Sequence, residues 1–120
     1  MSWTVITTEL FNEWLDQQDN ATQEKVLAAL LVLQKIGPNL GRPLVDTINA
    51  SKFSHMKELR IQHKGKPIRA FFAFDPLRQA IVLCIGNKGG KEKQFYKTMI
   101  PIADEQYERY IQSLGDSNHA

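Results

Sequence analysis

The chain has 120 residues and a formal net charge of +2, with 42% hydrophobic and 23% charged residues, composition that suits one domain. A chain of this size buries roughly two thirds of the surface its unfolded form would expose. No apolar run approaches the ~20 residues of a membrane span, the N-terminus MSWTVITTEL lacks the basic and apolar regions of a signal peptide, and the single cysteine excludes an internal disulfide, so a cytoplasmic location is expected.

Trp3 to Ile6 is β-prone, and Thr7 or Thr8 can cap the helix that follows. Leu10, Phe11, Trp14 and Leu15 give that helix one apolar stripe. After a polar turn, Asn20 with Gln23 has the form of a capping box. The second helix then sets Val26, Leu27, Leu30, Leu31 and Leu33 on a broad apolar face, until Gly37 and Pro38 stop it. So short a turn makes the two helices an antiparallel hairpin. Gly37 to Ser54 has no clear period and reads as an extended connector, anchored by Leu40, Leu44, Val45 and Ile48, with Arg42 and Lys52 pointing outward.

Met56 to Ile61 alternates, with Leu59 and Ile61 on one face and Glu58 and Arg60 on the other. Ile68 to Asp75 is a second strand, with Ile68, Ala70, Phe72 and Phe74 inward and Arg69, Phe71 and Ala73 opposite. Ala80 to Ile85 is a nearly continuous apolar run, as expected of a central strand; Cys84 within it reads as a small buried hydrophobe. These three segments make an antiparallel meander. Gly86 to Lys93 is a flexible, lysine-bearing loop. A last helix is expected to start near Pro101, to bury Ala103, Tyr107, Tyr110, Ile111 and Leu114, and to end at Gly115. The fold class is therefore α+β, a single domain over residues 1–115, with Asp116 to Ala120 expected to be a disordered tail.

Charge is segregated along the chain. Residues 52–97 hold 11 of the 15 basic residues and three acids, a net +8, while each flank sums to −3. Arg60, Arg69, Lys57, Lys88, Lys91 and Lys93, with Phe71 and Tyr96, form a basic and aromatic set suited to single-stranded RNA: cations take phosphates and rings take unstacked bases. The alternative is an ordinary surface, with Arg60 paired to Glu58 or Glu92 and Phe71 covering the second sheet face. His55, His63 and His119 have no metal-ligand spacing, GNKGGK has neither the spacing nor the following Ser or Thr of a phosphate loop, and no nucleophile sits on a sharp strand-to-helix turn. No metal or cofactor is expected.

GRPLVDTI, MKELR, IRAFFAFDPLRQAIVL, GNK and FYKTMIPIADEQY, in this order between Gly41 and Tyr107, resemble the HigB branch of the RelE/ParE toxin superfamily, including its phage-derived relatives. The resemblance covers roughly Trp3 to Leu114. It implies a fold of short N-terminal strand, two-helix hairpin, antiparallel sheet and C-terminal helix. It also implies the toxin of a type II toxin–antitoxin pair: an endoribonuclease that cuts mRNA on the ribosome, with a helix-turn-helix antitoxin through which alone it would meet operator DNA. Arg69 matches the arginine after the turn glycine, Arg60 the arginine closing the preceding strand, and Tyr96 falls near the tyrosine after the basic loop. Lys88, Lys91 and Lys93 fall on that loop approximately. In several such proteins the last helix has a histidine where this chain has Tyr110, leaving His55 and His63 as spare bases.

Metal-free cleavage needs the 2′-hydroxyl deprotonated and aligned, the phosphoryl oxygens stabilised and the 5′-oxygen protonated. Arg69 is the expected phosphate clamp, Arg60 its companion, and Tyr96 or a lysine the proton-handling group. Two further readings remain: a ParE-like toxin that binds a protein such as gyrase, or a noncatalytic member that only binds its antitoxin and tunes operon repression.

Overall fold

The computed structural model describes residues 2–118. Strand β1 (Thr4–Thr7) leads into helix α1 (Glu9–Asp16), helix α2 (Asn20–Ile36) and a 3₁₀ turn at Gly37–Asn39. Then come β2 (Val45–Thr47), β3 (Lys57–His63), β4 (Lys66–Phe74), β5 (Gln79–Asn87) and helix α3 (Glu92–Asn118). The sheet runs β1-β5-β4-β3-β2. β1 joins β5 in parallel, and every other pairing is antiparallel. The α+β architecture is as expected, but the sheet is wider than the meander: β2 lies inside the segment expected to be plain connector.

Local chemistry sets the helix starts. Thr8 caps α1, its hydroxyl accepting from the Phe11 amide at 3.1 Å. The cap of α2 is Asp19 rather than Asn20: its carboxylate accepts from the Thr22 amide at 2.8 Å, and Gln23 reaches instead to the Leu15 carbonyl at 3.0 Å. Gly37 closes α2 with φ +70°, and a Cβ there would stand 2.3 Å from Cδ1 of Trp3, so both conformation and contact require glycine.

Both sheet faces are covered. On one, Phe11, Val26, Leu30 and Leu33 of the hairpin pack against Leu59, Ile61, Ile68, Ala70, Phe72, Val82 and Ile85. On the other, Ile100, Ala103 and Tyr107 of α3 pack against Met56, Phe71, Ala73, Ile81, Leu83 and Cys84. Each fully buried large side chain contributes about 1.5–3 kcal/mol. The apolar face of α2 is narrower than its sequence suggests, because Leu27 and Leu31 are exposed.

A bulge tunes the second face. Phe71 pairs with Cys84 and Phe72 with Val82, leaving Leu83 as the extra residue of β5. Leu83 and Cys84 therefore both face α3, and the alternation beyond them is shifted so that Gly86 also lies under this helix, beside Phe95.

Helix α3 begins at Glu92, nine residues before Pro101, and it continues through Gly115. Phe95, Met99, Ala103, Tyr107 and Ile111 lie on one buried stripe across the proline. Burial of that stripe outweighs the lost backbone hydrogen bond. The expected flexible loop shrinks accordingly, with Lys93 and Tyr96 on the helix. Of the tail expected to be disordered, Asp116 to Asn118 are helical, and His119 and Ala120 lie outside the described residues. The connector is fastened to α3 by Asp104, which accepts from the Ser51 hydroxyl at 2.5 Å and the Lys52 amide at 3.0 Å.

Candidate active site

The register of β3 and β4 places Arg60 directly opposite Arg69, and β2 sets Asp46 opposite Glu58. Like charges facing each other across strands are unfavourable. Carboxylates offset the repulsion. Arg60 donates from Nε to Glu58 Oε2 at 3.0 Å and from Nη2 to Asp46 Oδ2 at 3.1 Å. Asp46 also accepts from Arg42 at 3.1 Å. The hydrogen bond to Glu58 raises the Arg60 pKa, and the bond from Arg42, followed by that from the Thr47 amide, lowers that of Asp46.

Arg69 is only 9% exposed. Its Nη1 donates to the Ile68 carbonyl at 3.1 Å, and its Nε stands 3.9 Å from Glu58 Oε1. That Nε is buried without a hydrogen-bond partner. An unpaired guanidinium nitrogen is costly unless a ligand completes it.

Tyr96 descends from α3 and donates its phenol proton to Glu58 Oε1 at 2.5 Å. Burial, then this bond to a carboxylate, push its pKa up to about 12, against the opposing pull of Arg69. At neutral pH the phenol therefore holds its proton and serves as a donor, not a base. Glu58, 3% exposed, is the hub: it touches both arginines and the tyrosine.

Arg60, Arg69 and Tyr96 are thus brought together, and Glu58 is the member sequence reasoning had weighed only as an ion-pair partner. The signal was present in MKELR, where alternation puts Glu58 on the same face as Arg60. Other expected members separate from the cluster. Lys57 shares the face of Leu59 and Ile61, beneath the helical hairpin rather than beside Arg69. Phe71 is fully buried, packed against Phe95 and Tyr96 at 6.0 Å, and offers no ring to a base. Lys88 follows β5 and pairs with Glu92 at 3.3 Å, while Lys91 and Lys93 are exposed around the start of α3.

The spare bases lie elsewhere. His63 is on the hairpin face of β3, opposite the arginines by strand alternation, and His55 meets the Tyr107 hydroxyl at 2.9 Å. Tyr110 is fourteen residues beyond Tyr96, about 21 Å along the helix. It donates to Asp75 and accepts from Gln79 at 3.1 Å. A histidine in its place would therefore not join Glu58 and Arg69. Cys84 is inert, its thiol pushed up to about 12 by burial. Among the described residues, no group of three or more His, Cys, Asp or Glu is placed to hold a metal ion, and no helix is long and apolar enough to cross a membrane. A cleft of about 490 Å³ opens between α2 and β3, walled by Ala28, Ala29, Val32 and Leu44, and it is lined at one end by the site's own Arg60 and Arg69.

A short mixed sheet with a helical hairpin on one face and a long C-terminal helix on the other is an α+β fold of the RelE type. The chain belongs to the phage-derived Gp49-like family (DUF891), which matches residues 13–108, and it is HigB-like. It is 43% identical to HigB2 of Mycobacterium tuberculosis (strain ATCC 25618 / H37Rv) over 118 residues, covering 98% of this chain and 58% of HigB2. It is also 43% identical to HigB3 of the same strain over 109 residues, covering 91% of this chain and 94% of HigB3. The chain thus spans little more than half the length of the first of these relatives. The structure of a mutant of the E. coli toxin RelE in the free state superimposes with a TM-score of 0.57 at 10% identity, covering 79% of this chain and 93% of that one, a likeness of fold.

Proposed function

We propose that this protein is the toxin of a type II toxin–antitoxin pair and an endoribonuclease that cuts mRNA in the cytoplasm, on the ribosome. The observation that carries the proposal is the buried Nε of Arg69, without a hydrogen-bond partner and 3.9 Å from the Glu58 carboxylate that also takes the Tyr96 phenol. The two Mycobacterium tuberculosis relatives, named as candidate toxins, support the biological role. Its partner would be a helix-turn-helix antitoxin, the only route by which the toxin would meet operator DNA.

The chemistry runs through the cluster's own side chains. A phosphate oxygen of the RNA takes the Arg69 guanidinium, and Arg60 stabilises a second oxygen as charge grows on the phosphorane. Glu58 accepts the proton of the attacking 2′-hydroxyl, the 2′-oxygen bonds to phosphorus, and the bond to the 5′-oxygen breaks. Tyr96 gives its proton to that leaving oxygen and recovers one from Glu58 along their hydrogen bond. The net result is one proton moved from the 2′-oxygen to the 5′-oxygen, with a 2′,3′-cyclic phosphate and a 5′-hydroxyl as products.

The test is inducible expression with mapping of mRNA ends, alongside purified protein with single-stranded RNA and ribosomes. Wild type is expected to cut. Arg69→Ala and Glu58→Gln are each expected to lose at least about 100-fold in rate, the scale of removing a transition-state donor or a general base. Intact mRNA and unimpaired growth with wild type would overturn the reading; inhibited supercoiling with intact RNA would instead select a toxin acting on a protein.

A further inference from the structure

The stripe of α3 next to Tyr96 walls a second concavity, of about 270 Å³. Phe95 and Met99, the more buried of its lining residues on the helix, make an apolar floor. Around them Asn87, Gln94 and Thr98 offer amide and hydroxyl groups, and Lys91 supplies an exposed ammonium group beside that of Lys88, which is ion-paired with Glu92 at 3.3 Å. Gln94 Nε2 donates to Thr98 Oγ1 at 3.2 Å, so the two polar side chains stand together on the rim.

The strand beneath ties this concavity to the arginine cluster. Gly86 pairs across the sheet with Arg69, and neighbouring strands lie about 4.8 Å apart. Because the bulge at Leu83 turns Gly86 towards α3, the Phe95 ring rests on it; an added Cβ would meet that ring at 3.1 Å. The same ring packs edge-on to Tyr96 at 5.4 Å. Phe95 is therefore a wall shared by the candidate cleavage site and the concavity.

We propose that this concavity is a nucleotide subsite, holding the base of the residue adjoining the scissile phosphate. The proposal rests on the ribonuclease reading above. Three parts of a nucleotide match three parts of the lining: the base plane lies on Phe95 and Met99, its edge bonds to Asn87, Gln94 and Thr98, and its phosphate takes Lys88 and Lys91. A free inorganic anion would use the lysines alone. An unstacked base is required, so the RNA is single-stranded there. Amides carry both donors and acceptors, which makes the rim able to prefer one base over another.

The experiment uses the full chain, a randomised pool of short single-stranded RNA, end sequencing of the products, and fluorescence anisotropy with fluorescein-labelled homopolymers. Gln94 and Thr98 are exposed helix positions where alanine is well tolerated. Wild type is expected to show a base preference at one position flanking the cut. Gln94→Ala and Thr98→Ala are expected to relax it and to raise KM about tenfold, the scale of losing one base contact. Lys91→Ala should weaken binding to all sequences alike. If wild type cuts and both alanine variants keep its preference and KM, the subsite is wrong while the ribonuclease reading stands. If wild type binds RNA without cutting, the ribonuclease reading fails and with it the place beside a scissile phosphate; a tenfold, base-dependent loss of affinity in the variants then upholds only base binding in the concavity. Absence of both binding and cutting overturns both.

Discussion

Tyr96 on α3 and Glu58 on β3, 38 residues apart in sequence, share a 2.5 Å hydrogen bond that closes the arginine cluster from above. Glu58 answers for three neighbours at once, because it also takes the Arg60 Nε at 3.0 Å and faces the Arg69 Nε at 3.9 Å. Replacing it by alanine leaves two opposed arginines with only Asp46 between them and a half-buried phenol without its acceptor. Glu58→Ala is expected to destabilise the fold by about 3 kcal/mol, as when one partner of a buried pair is removed. Glu58→Gln keeps an acceptor and much of the shape, so it should lose less stability while still losing cleavage. Urea midpoints for the two variants check the first difference, and RNA cleavage rates check the second.

The tyrosines set an alkaline limit. Tyr96 is pushed up to about 12 from an ordinary 10.0 by burial and by its bond to Glu58; Tyr110 is raised by burial and by Asp75. A folded-state pKa above the unfolded one means that folding favours the protonated phenol. That stabilisation is complete below about pH 10 and is lost as pH rises towards 12. Denaturant midpoints should therefore fall over this range, and Tyr96→Phe should fall less steeply. An identical alkaline slope in the variant would refute the assignment.

How much of this was legible in the chain depends on the length scale of each cause. Period-two alternation in MKELR and IRAFFAF placed Glu58, Arg60 and Arg69 on one face, because strand geometry is local. The same parity separates Lys57 from them, although it sits beside Glu58 in sequence. Three-residue β2 has no pattern of its own and exists only through its pairing with β3. Phe71 reads as a free ring until the length of α3 is known, since that helix covers it. Alternation puts Glu58 beside Arg60, but its bond to Tyr96 could not be read from the strand, because that approach depends on where α3 begins.

At the acid limit one group is Asp75, more buried than Asp19 and Asp46, whose pKa values are also lowered. Burial acts to raise its pKa, but hydrogen bonds from Tyr110, Gln79 and the Leu77 amide outweigh burial, and the net shift is downward from 3.8. A depressed folded pKa gives stability that is present above the unfolded value and is lost as pH falls through the folded one. Wild type should thus lose stability below about pH 4, and Asp75→Asn should reduce that loss while lowering stability at neutral pH. Thermal melts at stepped pH decide it.

Pro101 is the one proline inside α3, exposed to solvent while Ile100 and Ala103 are buried around it. It can donate no backbone hydrogen bond to Lys97, four residues earlier, and its ring crowds that carbonyl. In a helix interior this costs about 3 kcal/mol relative to alanine. The helix persists because the stripe from Phe95 to Ile111 is packed on the sheet along both halves. Pro101→Ala restores the missing donor without removing a core contact. It should therefore raise the urea midpoint, by the equivalent of about 1–3 kcal/mol, and strengthen amide protection at Lys97 to Ala103 in hydrogen exchange. A lower midpoint would mean that the proline itself favours the packed helix, for example by restricting the unfolded chain.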